Sequence, residues 1–112
     1  MAGLTLSLDS RPHNTWVLAA SGRPLPTDAE ALDKVIDQAI ASRPSMVVVD
    51  CAGLEFIGSF GIGALLRLAK AVETGGGKVR LSGVSPMIMK ILQASRLDHR
   101  MPVFATVDAA IG

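Results

Sequence analysis

The sequence predicts an α/β domain with a mixed, mostly parallel β-sheet of four to five strands and about four helices. Three observations predict it. Leu4, Leu6 and Leu8 alternate with Thr5 and Ser7, the period-two pattern of a strand with one buried face. Met46-Val47-Val48-Val49 is apolar without alternation, as a strand covered on both faces must be. Between and beyond such runs lie segments with apolar residues at helical spacing, and strands separated by helices pair in parallel.

The first strand, Leu4–Leu8, leads into Pro12-His13-Asn14, which supplies turn chemistry. Trp16-Val17-Leu18-Ala19-Ala20 then forms a second strand, close enough to make an antiparallel hairpin. Two prolines bar Gly22 to Pro26 from regular structure. Thr27 and Glu30 have capping-box spacing, and Leu32, Val35, Ile36, Ala39 and Ile40 give the helix behind them one apolar face. Ser42-Arg43-Pro44 ends that helix, and Met46–Val49 becomes the central strand. Asp50 to Ile57 is expected to be loop, with Ser59 opening a helix whose buried stripe is Ile62, Leu65, Leu66, Ala69 and Val72. Gly75-Gly76-Gly77 stops it. Lys78–Leu81 is a further strand, and Ser85-Pro86 an N-cap with proline at the first helical position. Met101–Phe104, which contains Pro102, suits a short edge strand, and Thr106 caps a final helical turn.

Composition narrows the function. At 112 residues the chain holds one domain, residues 1–112, and with 49% apolar and 19% charged residues it has the makings of a packed core. Net charge is +1 with scattered Lys and Arg, which argues against nucleic-acid binding. No apolar run reaches the roughly 20 residues of a membrane helix, and Met1-Ala2-Gly3-Leu4 lacks the basic-then-apolar order of a secretory signal. Cys51 is the sole cysteine, so no internal disulfide or cysteine-based metal site forms, and a buried, inert thiol is expected. These features together predict a cytoplasmic location.

In such sheets the functional surface gathers at the carboxyl ends of the strands, here at Gly22–Pro26, Cys51–Ser59 and Gly83–Ser85. The second is the most informative. Ser59 follows the central strand and enters a helix, flanked by Gly58, Gly61 and Gly63. Glycine in a first helical turn costs about 1 kcal/mol relative to alanine, so close backbone approach or a bare surface is wanted there. Ser59-Phe60-Gly61 is half of a nucleophile elbow, but position 57 is Ile, and His13 and His99 lie in turn-like surroundings. Gly75-Gly76-Gly77-Lys78 is not a phosphate loop, because no Ser or Thr follows and the order is helix to strand. Phe60 and Ile62 are either core or apolar anchors for a partner.

With these residues in view, the chain resembles STAS domains of the anti-sigma factor antagonist type. The Gly22 turn, the strand ending at Asp50, the loop Phe56-Ile57-Gly58-Ser59-Phe60-Gly61-Ile62, Gly76-Gly77 and Ser85-Pro86 carry the resemblance. It implies that Ser59 is phosphorylated by an anti-sigma factor serine/threonine kinase of the histidine-kinase-like ATPase fold. A serine phosphatase of the PP2C type then restores it. The unphosphorylated form captures the kinase and frees a sigma factor, so the chain would be a partner-switching transcription regulator, a monomer or weak dimer, and not an enzyme. ATP would belong to the partner, and the chain itself would carry no cofactor or metal. By resemblance the partner surface takes Gly22, Arg23 and Leu25 from the first loop. It takes Ile57, Gly58, Ser59, Phe60, Gly61 and Ile62 from the second, and Ser85 from the third. A second role within the same family is a STAS subunit of a lipid-transport or stress-sensing complex. The chain departs from the pattern at two places: Gly58 stands where many relatives have Asp, and Leu25 where an acidic residue is common.

Overall fold

A computed structural model describes residues 3–112; the signal-peptide expectation at Met1 and Ala2 falls outside them. Five strands form one sheet in the order β1-β2-β3-β4-β5, with β1 (Leu4–Arg11) antiparallel to β2 (Thr15–Gly22). β3 (Met46–Leu54), β4 (Lys78–Ser82) and β5 (Val103–Phe104) continue it in parallel. The helices are α1 (Ala29–Ala41), α2 (Ser59–Thr74), α3 (Pro86–Ala94), α4 (Leu97–Arg100) and α5 (Val107–Ile111). This is the mixed sheet that the alternation and the apolar run predict. β3 is central, and the Pro102 segment forms an edge.

The non-alternating valines of β3 divide between two cores. Val47 and Val49 face α1, α2 and α3 and join Leu18, Ile36, Leu68, Leu81, Ile88 and Leu92 in the main core. Val48 faces the other way, and with Val17 it packs under Ala110 of α5. Leu4, Leu6 and Leu8 of β1 lean on the main core while Thr5, Ser7 and Asp9 are exposed. Arg80 ties α5 down by donating to the Ala110 carbonyl at 2.6 Å, with its guanidinium 5.3 Å from the Phe104 ring centre.

The helix ends follow their sequence signals, with one exception. Ser85 Oγ accepts from Ile88 N at 3.3 Å, and Thr106 Oγ1 from Ala109 N at 3.1 Å. α2 ends in a Schellman motif: Gly76 has φ +89°, its N–H donates to the Glu73 carbonyl, and Gly77 N–H donates to that of Val72. The exception is the start of α1. Thr27 lies inside a 3-10 turn, Pro26–Asp28, and does not cap. Asp28 stands at the N-cap position of α1 but makes no side-chain bond to the helix; its Oδ2 accepts instead from Leu25 N, ahead of the 3-10 turn, at 2.7 Å and from Leu4 N at 3.0 Å. That carboxylate ties the start of the turn to β1 through two charge-assisted hydrogen bonds. Pro26, expected in irregular chain, opens this turn because proline suits a first helical position.

Candidate functional site

The site is assembled where β2 and β3 run out of the sheet. Asp50 to Leu54 is strand rather than the expected loop, and only residues 55–58 connect β3 to α2. The extra length contains a bulge: Ala19 pairs with Asp50 but Ser21 with Gly53, one residue out of step. A bulge inverts the facing of the residues beyond it. Cys51, before it, faces the core as Val49 does by simple alternation, and beyond it Leu54, not residue 53, turns back beneath the helices. Gly53 is required by this close pairing, because a Cβ there would lie 2.7 Å from the Cβ of Ser21.

The four-residue loop is held at both ends. Glu55 N donates to the Gly22 carbonyl at 2.9 Å, and Ile62 N to the Gly58 carbonyl at 3.0 Å, the first bond of α2. Gly22 has φ +90°, and any Cβ there would meet the Gly3 carbonyl oxygen. Between the anchors Ile57 is 5% exposed. The resemblance puts it among the partner contacts, but its side chain belongs to the core and fixes the loop from below. Gly61 is explained by the same packing: a Cβ there would stand 2.9 Å from Ile57 Cγ1. Gly63 meets nothing within 4 Å and leaves a bare exposed spot on α2.

Gly58 is the N-cap of α2, in extended conformation (φ −109°, ψ −172°), and Ser59 is the first helical residue. Ser59 is exposed, and among the described residues its hydroxyl has no hydrogen-bond partner. The hydroxyl thus stands beside the free N–H groups of a sixteen-residue helix, where negative charge is favoured. Neither histidine is bonded to it. His13 lies in the β1–β2 hairpin at the opposite end of the sheet, so it is not placed to act as a base on Ser59.

The first two loops share a small apolar cavity of about 50 Å³, walled by Pro24, Leu54, Phe56, Ile57, Phe60 and Gly61 with Cys51 at its floor. Phe60, half-buried, is both wall and surface. Burial, reinforced by the neighbouring Asp50 charge, pushes the Cys51 thiol up to about 12, which keeps it protonated and unreactive. Arg23 is exposed and stacks over Phe56 with its guanidinium carbon 5.3 Å from the ring centre. Phe56 is a site residue that the sequence reading misses, although its aromatic ring, three residues before the serine, is a signal that it can meet a cation. Leu25 and Ile62 are half-buried. Ser85 lies apart, beyond β4, with its oxygen committed to capping α3, and it does not line the shared cavity. Among the described residues no group of three His, Cys, Asp or Glu could hold a metal, and no helix is long and apolar enough to cross a membrane.

This geometry matches known proteins. The STAS domain model covers residues 11–110. The chain belongs to the STAS family. A candidate anti-anti-sigma factor of Mycobacterium tuberculosis is 30% identical over 94% of this chain, which spans 62% of that relative's length. An anti-sigma factor antagonist of Mycobacterium paratuberculosis superposes with a TM-score of 0.86 at 24% identity, covering 97% of this chain and 92% of the other. The Bacillus cell fate determinant SpoIIAA, in its phosphorylated form, superposes with a TM-score of 0.77 at 26% identity over 96% of each chain. The STAS fold accounts for the mixed sheet and its layering of helices.

Proposed function

We propose that this STAS domain is an anti-sigma factor antagonist controlled by phosphorylation of Ser59. The observation that carries this function is the exposed, unpartnered Ser59 hydroxyl at the amino end of α2, on a loop pinned at both ends. Similarity to SpoIIAA, which has been solved phosphorylated and unphosphorylated, supports the same assignment. The kinase is an anti-sigma factor of the histidine-kinase-like ATPase fold, which brings the ATP. Ser59 Oγ attacks the γ-phosphorus, the bond to ADP breaks, and the hydroxyl proton passes to a base on the kinase. A PP2C-type phosphatase returns the hydroxyl by hydrolysis. The chain is substrate and ligand in this cycle, catalyses nothing, and works in the cytoplasm.

The unmodified loop offers a partner the surface of Arg23, Leu25, Gly58, Phe60 and Ile62. A phosphoserine brings about −1.5 to −2 charges. Within the domain that charge is accommodated by the α2 terminus; against a docked partner it is unpaired and poorly solvated. A 30-fold loss of affinity needs only about 2 kcal/mol, within the range of like-charge juxtaposition at an interface.

The test is a pull-down with the unmodified protein, followed by phosphorylation with the captured kinase and ATP and mapping by mass spectrometry. Phosphate on Ser59, and a partner Kd at least about 30-fold weaker for the modified protein or for S59D, is the expected result. Dominant phosphate on Ser7, Ser82, Ser85 or Ser95, or unchanged affinity, refutes the function. Unmodified protein that captures no kinase but copurifies with transporter components would instead favour the subunit role.

A further inference from the structure

The geometry points to Arg23 as the built-in receptor for the phosphate on Ser59, held over Phe56 until the serine is modified. This inference rests on the proposal that Ser59 is the phosphoacceptor, and it gives Arg23 a role within the modified chain in addition to its place on the partner surface of the unmodified one. Three observations carry it.

The first is placement. Pro24, next to Arg23, and Phe60, next to Ser59, wall the same cavity of about 50 Å³, so the two loops border one small space. Phe56, in the second loop, carries the Arg23 guanidinium on its ring, and its Cε2 is only 3.3 Å from where a Cβ on residue 58 would be. Phe56 therefore links Arg23 to the residue that immediately precedes Ser59.

The second is that the guanidinium is uncommitted. The ion pairs among the described residues involve Lys34, Arg67 and Arg100, never Arg23. Two carboxylates flank this region, Asp28 five residues after Arg23 and Glu55 next to Phe56. Asp28 is engaged by the backbone N–H groups of Leu4 and Leu25, and exposed Glu55 makes no ion pair with Arg23. The third is Gly58. A carboxylate at that position would compete for the guanidinium permanently; glycine leaves it to a charge that comes and goes.

An exposed cation–π contact is a weak hold, and a dianionic phosphate bound bidentately by a planar guanidinium is a stronger one. Modification should move Arg23 off the ring and onto the phosphate. Two changes then coincide: a negative charge appears at the loop, and the positive charge beside Leu25 and Phe60 is withdrawn from any partner. Lysine can supply the charge but neither the flat stack nor the paired donors.

The experiment installs phosphoserine at position 59 by semisynthesis in wild-type, R23K and R23Q proteins, so it does not depend on finding the kinase. The second ionisation of the phosphate is followed by ³¹P NMR against pH, and the Phe56 ring protons are followed in parallel. A nearby cation favours the dianion, so the wild-type midpoint should lie below about 6, and R23Q should raise it by about 0.5 or more, with R23K between. The Phe56 ring resonances should shift on phosphorylation in wild type and not in R23Q. Equal midpoints in wild type and R23Q overturn the role of Arg23 while leaving Ser59 as phosphoacceptor intact. Absence of phosphate on Ser59 in the kinase assay would instead remove the biological setting for both. Arg23 is exposed, and a melting curve for each variant shows that it is folded before titration.

Discussion

Replacing Gly58 by Asp and by Ala tests the architecture of the switch helix with a matched pair. Gly58 is the N-cap of α2, and the first backbone bond of the helix is Ile62 N to the Gly58 carbonyl. The N–H groups of Ser59, Phe60 and Gly61 therefore precede any intrahelical acceptor, and glycine has no side chain to serve them. The backbone at residue 58 is extended, which any residue can adopt, so neither substitution is strained at φ. Both add a Cβ 3.3 Å from Phe56 Cε2, and whatever that contact costs is common to the two. What differs is the cap: aspartate can accept from the free N–H groups and alanine cannot, a difference of about 1 kcal/mol. Pairing of the new carboxylate with Arg23 would act in the same direction. For a domain of this size that corresponds to roughly 5 °C in Tm. Thermal melts of G58D and G58A by circular dichroism, at neutral pH and one protein concentration, measure it. Equal Tm values, or a less stable G58D, would show that residue 58 is not the functioning cap of α2.

Three other outcomes are expected. Gly77→Ala should cost about 2–3 kcal/mol, because its Cβ would be driven onto the Pro44 carbonyl oxygen and to 2.7 Å from Val72 Cγ1, whereas Gly63→Ala, with free space around it, should gain about 1 kcal/mol; denaturant titrations give both signs. Cys51 should resist thiol reagents in the native state. Its pKa is raised from 9.0 to about 12 in the folded chain, so the protonated thiol contributes stability that is complete below pH 9 and declines as pH rises from 9 toward 12, and Cys51→Ala should flatten that part of the stability–pH curve. In hydrogen exchange, Met46–Val49 should be the slowest segment and Val103–Phe104 much faster; equal rates would contradict the central and edge placement of these strands.

The features legible in the sequence are those that simple periodicity encodes. The Leu4-Leu6-Leu8 alternation, the unbroken valines of β3, the Ser85 and Thr106 caps and the Gly75-Gly76-Gly77 stop each depend on neighbours within a few residues, and each stands where its pattern predicts. Two local features are hidden by long-range ones. Thr27 has capping-box spacing, but the chain there tightens into a 3-10 turn whose Asp28 carboxylate bonds Leu25 N and, on β1 twenty-four residues away, Leu4 N. Asp50–Leu54 looks like loop because its apolar pattern breaks at Ala52-Gly53, and the break is a bulge whose partner, Ser21, lies in another strand. The serine-bearing loop is legible as a site from its glycines and its place after the central strand. That Ile57 is core and Phe56 carries a guanidinium is not, since both depend on which way a four-residue loop turns its side chains.

The pinning of residues 55–58 between the Gly22 carbonyl and the first turn of α2 bears on how quickly a partner can be exchanged. A surface that is already ordered pays no folding cost at encounter, so association should run near the rate ordinary for rigid docking, about 10⁵–10⁷ M⁻¹s⁻¹. If phosphorylation of Ser59, as proposed, leaves that scaffold in place, the change it makes should fall mainly on residence time: partners would find the loop about as often before and after, and simply let go sooner once Ser59 is charged. Switching would then be paced by the enzymes that add and remove the phosphate, not by rearrangement of the domain that bears it.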